Sequence, residues 1–148
     1  MTAPFIMLVD DEVPFVETMA KRLGTRNIET IMAFSAEEGL QKLKENQNID
    51  VIVLDIKMPG MDGIEALKEI KKQTPLVEII MLTGNATIDS AIDAMKLGAY
   101  DFLMKPFDIE ELVSKVEAAA GKKRKHEEKI KDALKQETLS KYGPFRYI

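Results

Sequence analysis

The chain has no cysteine and no tryptophan, and only one histidine among its 148 residues. Without cysteine there is no disulfide framework, no thiolate metal site and no thiol nucleophile, which suits a cytoplasmic protein. The single histidine, His126, lies in the charged stretch KKRKHEEK and reads as a solvated surface residue rather than a ligand or phosphocarrier. Long apolar runs are missing too. None approaches the roughly 18 residues of a membrane span, so no membrane association is expected. The opening MTAPFIMLVDDE has no basic stretch before its apolar run and meets aspartates at once, unlike a secretory signal. No glycine-rich loop follows that run, and VDDE in its place would repel phosphate, which disfavours a nucleotide- or flavin-binding domain. Neither a GxxxxGK[ST] loop nor a helix-turn-helix pattern occurs. With a net charge of -4, the chain as a whole is not a polyanion binder.

The length suits about one domain with a real core. Short apolar runs alternate with amphipathic segments five times. The runs are Phe5 to Val9, Ile28 to Ala33, Val51 to Leu54, Val77 to Leu82 and Tyr100 to Met104. Runs this short and this continuously apolar predict strands buried on both faces, as in a parallel sheet. Helices are predicted over 13–23, from Ser35 to about Glu45, over 63–72, from Thr87 to about Met95, and from Asp108 onward. Their signals are Pro14 and Gly24 around the first, Ser35 with Glu38 as a capping box on the second, and Thr87 as cap and Gly98 as stop on the fourth. Asp108 with Glu111 makes a second capping box on the last. MPGMDG (58–63) is a turn signal, and the methionines read as gap-filling core. The fold class is α/β, (βα)5, with right-handed crossovers placing helices on both faces of one sheet.

Ligands of such sheets sit beyond the carboxyl ends of the strands. The residues at those ends include Asp10, Asp11, Asp55, Thr83 and Lys105. Carboxylates gathered there would repel one another unless a cation were present. Mg²⁺, with one or two carboxylates, water and phosphate as ligands, fits that need. Lys105 offers a fixed positive charge and Thr83 a hydroxyl donor. An aspartate, a metal, a lysine and a hydroxyl together make a phosphoryl-acceptor site, since aspartyl phosphate is an established form of carboxylate nucleophilic chemistry.

Four segments, FIMLVDDE, VIVLDIKMPGMDGIEAL, IIMLTGNA and GAYDFLMKPFD, resemble the blocks of response-regulator receiver domains, in order and at the right separations, over about residues 3–120. The wording of 83–107 is closest to receivers of the sigma-54 activator type. The resemblance implies a doubly wound five-stranded sheet of flavodoxin-like order 2-1-3-4-5. It implies Asp55 as phosphoacceptor, Asp11 as the direct Mg²⁺ ligand, Asp10 as its neighbour often acting through water, and the backbone carbonyl of Lys57 as a further ligand. Thr83 matches the switch hydroxyl, Phe102 the switch aromatic and Lys105 the phosphoryl-contacting lysine, with a cis Lys105–Pro106 bond. Lys57 and Asn85 would flank the water that ends the signal. The implied donor is a sensor histidine kinase or a phosphotransfer protein, and the chain is expected to be a switch that catalyses only its own phosphorylation and dephosphorylation.

Three other readings compete. A dehalogenase-type phosphatase or mutase needs DxDx[TV], but here Lys57 stands where the second aspartate should be. The nucleotide-binding domain is disfavoured above. A pseudo-receiver is disfavoured by the intact set of five residues. Residues 121–148 exceed a minimal receiver and read as an extended helix and tail, either linker or docking segment, with an apolar stripe through Ile130, Leu134 and Leu139 and a break at Gly143-Pro144. A homodimer through the 87–116 face or this helix is a candidate. The basic run Lys122 to Lys125, followed by Glu127 and Glu128, reads as a solvated face rather than a nucleic-acid contact.

Overall fold

The computed structural model describes residues 3–142; the expected break at Gly143-Pro144 and the apolar PFRYI end lie outside the described residues. Its elements are β1 (Phe5–Val9), α1 (Val13–Gly24), β2 (Glu29–Ala33), α2 (Ala36–Glu45), β3 (Val51–Asp55), α3 (Gly63–Gln73), β4 (Glu78–Thr83), a 3-10 turn (Asn85–Thr87), α4 (Ile88–Lys96), β5 (Asp101–Met104) and α5 (Ile109–Tyr142). The strands form one parallel sheet in the order β2-β1-β3-β4-β5.

Alternation along the strands explains the double layer of helices. Met7, Val9, Ile52, Leu54, Ile79 and Met81 face one side, where they meet Leu43, Leu67, Ile70, Ala91 and Ala94 of α2, α3 and α4. Their chain neighbours Ile6, Leu8, Val51, Val53, Ile80 and Leu82 face the other side, against Val16 and Leu23 of α1 and Leu112, Val116 and Ala119 of α5. Successive side chains of a strand point to opposite faces, so a strand covered on both sides must be apolar at every position. β3 and β4 are buried throughout, whereas the edge strands β2 and β5 are only partly covered.

The helix starts follow the capping signals with two exceptions, Thr87 and the Asp108–Glu111 box. Ser35 Oγ accepts the Glu38 N–H at 3.1 Å, while Glu38 Oε1 reaches back to the Phe34 N–H at 2.6 Å. Asp62 caps α3 through the Glu65 N–H at 2.9 Å. Thr87 occupies the N-cap position of α4 but its hydroxyl does not cap the helix; it is bound instead to Thr83 and Gly84. At the start of α5 the Glu111 N–H donates to the Asp108 backbone carbonyl. α4 ends with Gly98 at a φ of +105°, the left-handed backbone that suits glycine after a helix.

The basic run departs from the solvated reading. Lys123 is 5% exposed and pairs with buried Asp50 at 3.3 Å, and Arg124 reaches the same carboxylate at 2.8 Å. Lys122 lies 3.2 Å from buried Glu78. These partners stand just before β3 and at the first residue of β4, so the charges cover the amino-terminal edge of the sheet. Beyond them α5 continues as one helix, with Ile130, Leu134 and Leu139 exposed.

Candidate functional site

Register brings the polar strand ends together. Val9 pairs with Leu54, Asp55 with Leu82, and Thr83 with Met104. The residues that follow β1 therefore lie beside the last residue of β3, and the Lys105 N–H extends the last ladder by donating to the Thr83 carbonyl at 2.8 Å. Because β1 has β2 on one side and β3 on the other, this is where the chain changes direction across the sheet, the expected place for a ligand crevice.

The loop after β3 is fitted against Asp55. Gly60 has a φ of +75°, and Gly63 donates to the Ile56 carbonyl at 2.8 Å. A Cβ on Gly63 would stand 2.2 Å from the Asp55 carbonyl oxygen, so only glycine lets α3 begin this close to the strand. Lys57, Met58 and Pro59 thereby wall one side of an open cleft of about 590 Å³, with Asp11, Glu12, Asp55 and Lys105 at its floor and Gly84, Ala86 and Thr87 opposite.

Asp10, Asp11 and Asp55 each present a carboxylate oxygen within 4.8 Å of the others. Asp10 is fully buried, and both its oxygens have partners: the Glu12 N–H at 2.9 Å and Lys105 Nζ at 2.7 Å. Lys105 Nζ also lies 3.4 Å from Glu12 and 3.9 Å from Asp55. Burial, then the negative charge of Asp10, push the Asp55 carboxyl up to about 7; Lys105 opposes this, while Asp11 and Glu12 add to it. Burial alone would lower the Lys105 ammonium, but its hydrogen bond to Asp10 and the charges of Asp10, Asp55 and Glu12 outweigh that and raise it. A crowded acid group with one lysine is short of positive charge, and a hard divalent cation with oxygen ligands supplies it. The donor set fits such an ion. Asp11 and Asp55 face the cleft, while Asp10 is already committed to Lys105 and Glu12.

The remaining residues named from the sequence are distributed as follows. Thr83 is buried, and its hydroxyl lies 3.0 Å from the Gly84 carbonyl and 2.6 Å from the Thr87 hydroxyl. Phe102 is half-buried and packs on the α2–α4 side of the sheet. Asn85 is exposed in the 3-10 turn, and the Lys105–Pro106 bond is cis. Three neighbours escaped the sequence reading. Glu12 was the third acid of VDDE. Phe15 was read only as helix core, but Lys105 Nζ sits 4.4 Å above its ring, which meets Phe107 edge-on at 6.2 Å. Thr87 was read as a cap; the spacing of two hydroxyls in TGNAT was the available signal.

Comparison with known proteins identifies the family and the fold. Residues 6–117 match the response regulator receiver domain family. The chain is 35% identical over 119 residues to the DNA-binding transcriptional regulator NtrC of Escherichia coli, covering 80% of this chain and 25% of that protein. It is 30% identical over 138 residues to the transcriptional regulatory protein ZraR of the same organism, covering 93% of this chain and 30% of that one. Among solved structures, a response regulator receiver domain protein from Clostridium thermocellum superposes with a TM-score of 0.79 at 38% identity, covering 82% of this chain and 97% of that chain. The receiver domain of NtrX from Brucella abortus gives 0.74 at 36% identity, covering 78% and 98%. The chain belongs to the response-regulator receiver family, and its likeness to NtrC and ZraR places it near receivers of sigma-54 activators. It spans about a quarter to a third of the length of these curated relatives. The family is a signalling switch rather than a conventional enzyme, its members interact with histidine kinases, and receiver domains bind Mg²⁺ at an acidic pocket. Among the described residues no helix is long and apolar enough to cross a membrane.

Proposed function

We propose that this chain accepts a phosphoryl group on Asp55 from a phosphohistidine of a sensor histidine kinase or phosphotransfer protein, in the cytoplasm and with Mg²⁺, and thereby switches a downstream partner or output domain. The single observation that carries the reading is the position of the Asp55 carboxylate: at the end of β3, within 4.8 Å of Asp10 and Asp11 oxygens and 3.9 Å from Lys105.

In the transfer an Asp55 oxygen forms a bond to phosphorus as the phosphorus–nitrogen bond of the donor breaks, leaving the histidine ring free to take up a proton. Mg²⁺, when bound, offsets charge on the phosphoryl oxygens. Asp11, Asp55 and the Lys57 backbone carbonyl would hold it, with Asp10 acting through water. Lys105, anchored by Asp10 and lying over Phe15, needs only a short movement to contact a phosphoryl oxygen. Thr83 supplies a hydroxyl donor after leaving its present partners, and Phe102 turns into the space it vacates. The balance between two arrangements of α4, β5 and α5 then shifts by the differential contacts of the phosphoryl group. Hydrolysis by water resets the switch; Lys57 at the cleft wall and Asn85 in the exposed turn tune its rate.

Ile92, Met95 and Leu97 of the α4 region, Met104 of β5, and Ile130, Leu134 and Leu139 of α5 are exposed, which supports a homodimer or docking face there. The test is incubation with acetyl phosphate and Mg²⁺. Wild type gains one phosphoryl group that alkali and hydroxylamine remove, and Asp55→Asn gains none. Turnover of a diffusible phosphoester would favour a phosphatase instead, and an unmodified wild type a pseudo-receiver.

A further inference from the structure

The hydroxyl of Thr83 does not face a vacant space. It is 1% exposed, 2.6 Å from Thr87 Oγ1 and 3.0 Å from the Gly84 carbonyl, and Thr87 Oγ1 in turn accepts the Gly84 N–H at 3.1 Å. Two hydroxyls carry only two protons; Thr87 Oγ1 also lies 3.3 Å from the Gly84 carbonyl, and one assignment satisfies the three shorter contacts. The Gly84 N–H donates to Thr87, Thr87 donates to Thr83, and Thr83 donates to the Gly84 carbonyl. This is a closed ring, which polarises along its length. Thr87 would cap α4 by accepting an N–H of its first turn, but its oxygen accepts the Gly84 N–H instead, and no cap bond forms.

We infer that Thr87 is a positioning residue that latches the Thr83 hydroxyl away from Asp55 and so sets how readily this receiver reaches its phosphoryl-bound arrangement. The inference rests on the function proposed above. For Thr83 to donate to a phosphoryl oxygen, its proton must leave the Gly84 carbonyl and the bond to Thr87 must open. Water cannot replace the lost partners while Thr83 stays buried, so the ring opposes the movement until the phosphoryl oxygen is present. A neutral hydrogen bond of this kind biases a two-state balance by about two- to tenfold. Thr87 itself keeps the Gly84 N–H when Thr83 departs, so the opened state leaves no donor orphaned at that amide.

The experiment measures the concentration of beryllium fluoride, a phosphoryl mimic, that half-saturates the full chain in excess Mg²⁺, read by calorimetry and by amide chemical shifts in β4 and α4. Thr87→Val, which keeps the shape and removes the hydroxyl, is expected to lower that concentration by about two- to tenfold. Thr87→Ser is expected to behave as wild type. In a Thr83→Ala background, Thr87→Val is expected to change nothing, because the residue it acts through is gone. A Thr87→Val response that persists in the Thr83→Ala background, or one that Thr87→Ser shares, overturns the latch. So does wild-type affinity in Thr87→Val. If wild type itself fails to bind beryllium fluoride, or Asp55→Asn binds it equally, the phosphoacceptor reading falls and the latch with it.

Discussion

Replacing Asp55 with asparagine in the absence of divalent cations should stabilise the fold, and the gain should grow with pH. The carboxyl titrates near 7 in the native chain, held up first by burial and then by Asp10, against an ordinary value of 3.8. Below about pH 4 both folded and unfolded chains hold this proton. Between about 4 and 7 the unfolded chain releases it while the folded chain keeps it, so the folded state binds more protons and loses stability as pH rises. Above about 7 the loss is complete and constant. The gap between 3.8 and about 7, at about 1.4 kcal/mol per pH unit, sets a ceiling of about 4 kcal/mol. Solvent in the open cleft screens part of this, so about 1–3 kcal/mol is expected at pH 8. Asparagine keeps the size of the side chain and discards the charge that Asp10, Asp11 and Glu12 repel. Urea unfolding in EDTA, wild type beside Asp55→Asn at pH 5, 6, 7 and 8, measures it. The two midpoints should lie closer at pH 5 and separate by pH 8. A variant less stable than wild type at pH 8, or a difference that shrinks as pH rises, would refute the electrostatic account.

Other outcomes follow from the same geometry. Mg²⁺ should stabilise wild type by about 2.7 kcal/mol at a hundred times its dissociation constant, and do so far less in Asp11→Asn, as thermal unfolding with and without EDTA would show. Asp50→Ala should cost about 3–5 kcal/mol in urea unfolding, because it strips buried Lys123 of a partner along with Arg124 and the Phe5 N–H. Burial alone would raise the Asp50 carboxyl, but Arg124, the Phe5 N–H and Lys123 outweigh that and lower it, so its contribution is present above about pH 4 and lost as acid protonates it. Gly63→Ala should cost about 3 kcal/mol in the same assay, since its methyl group would collide with the Asp55 carbonyl.

The fold was legible because its central strands are covered on both faces. A run such as VIVLD has no polar position to confuse with a helix stripe, and the strand ends at Asp10, Asp55 and Lys105 marked the site directly. The edges were less legible: β2, half-covered, begins at Glu29 rather than Ile28, and β5 at Asp101 rather than Tyr100. Contacts between distant segments were illegible for a different reason. Asp50 meets Lys123 and Arg124 across more than seventy residues, and nothing local distinguishes those cations from the solvated Lys125 beside them. Phe15 under Lys105 belongs to the same class: helical spacing explains its burial fully and leaves no residue to suggest a cation above it. Thr87 shows a local signal assigned to the wrong partner. A threonine before a helix ordinarily caps it, but here the Gly84 N–H takes the Thr87 oxygen and the Thr83 hydroxyl pairs with it.

The central claim is tested most directly by locating the phosphoryl group. The chain is treated with acetyl phosphate and Mg²⁺, reduced with borohydride, which converts an aspartyl phosphate to homoserine, and digested for peptide mass mapping. Homoserine at position 55 alone, absent when EDTA is added, is the expected result. Homoserine at another aspartate with position 55 untouched, or labelling indifferent to EDTA, would contradict the account.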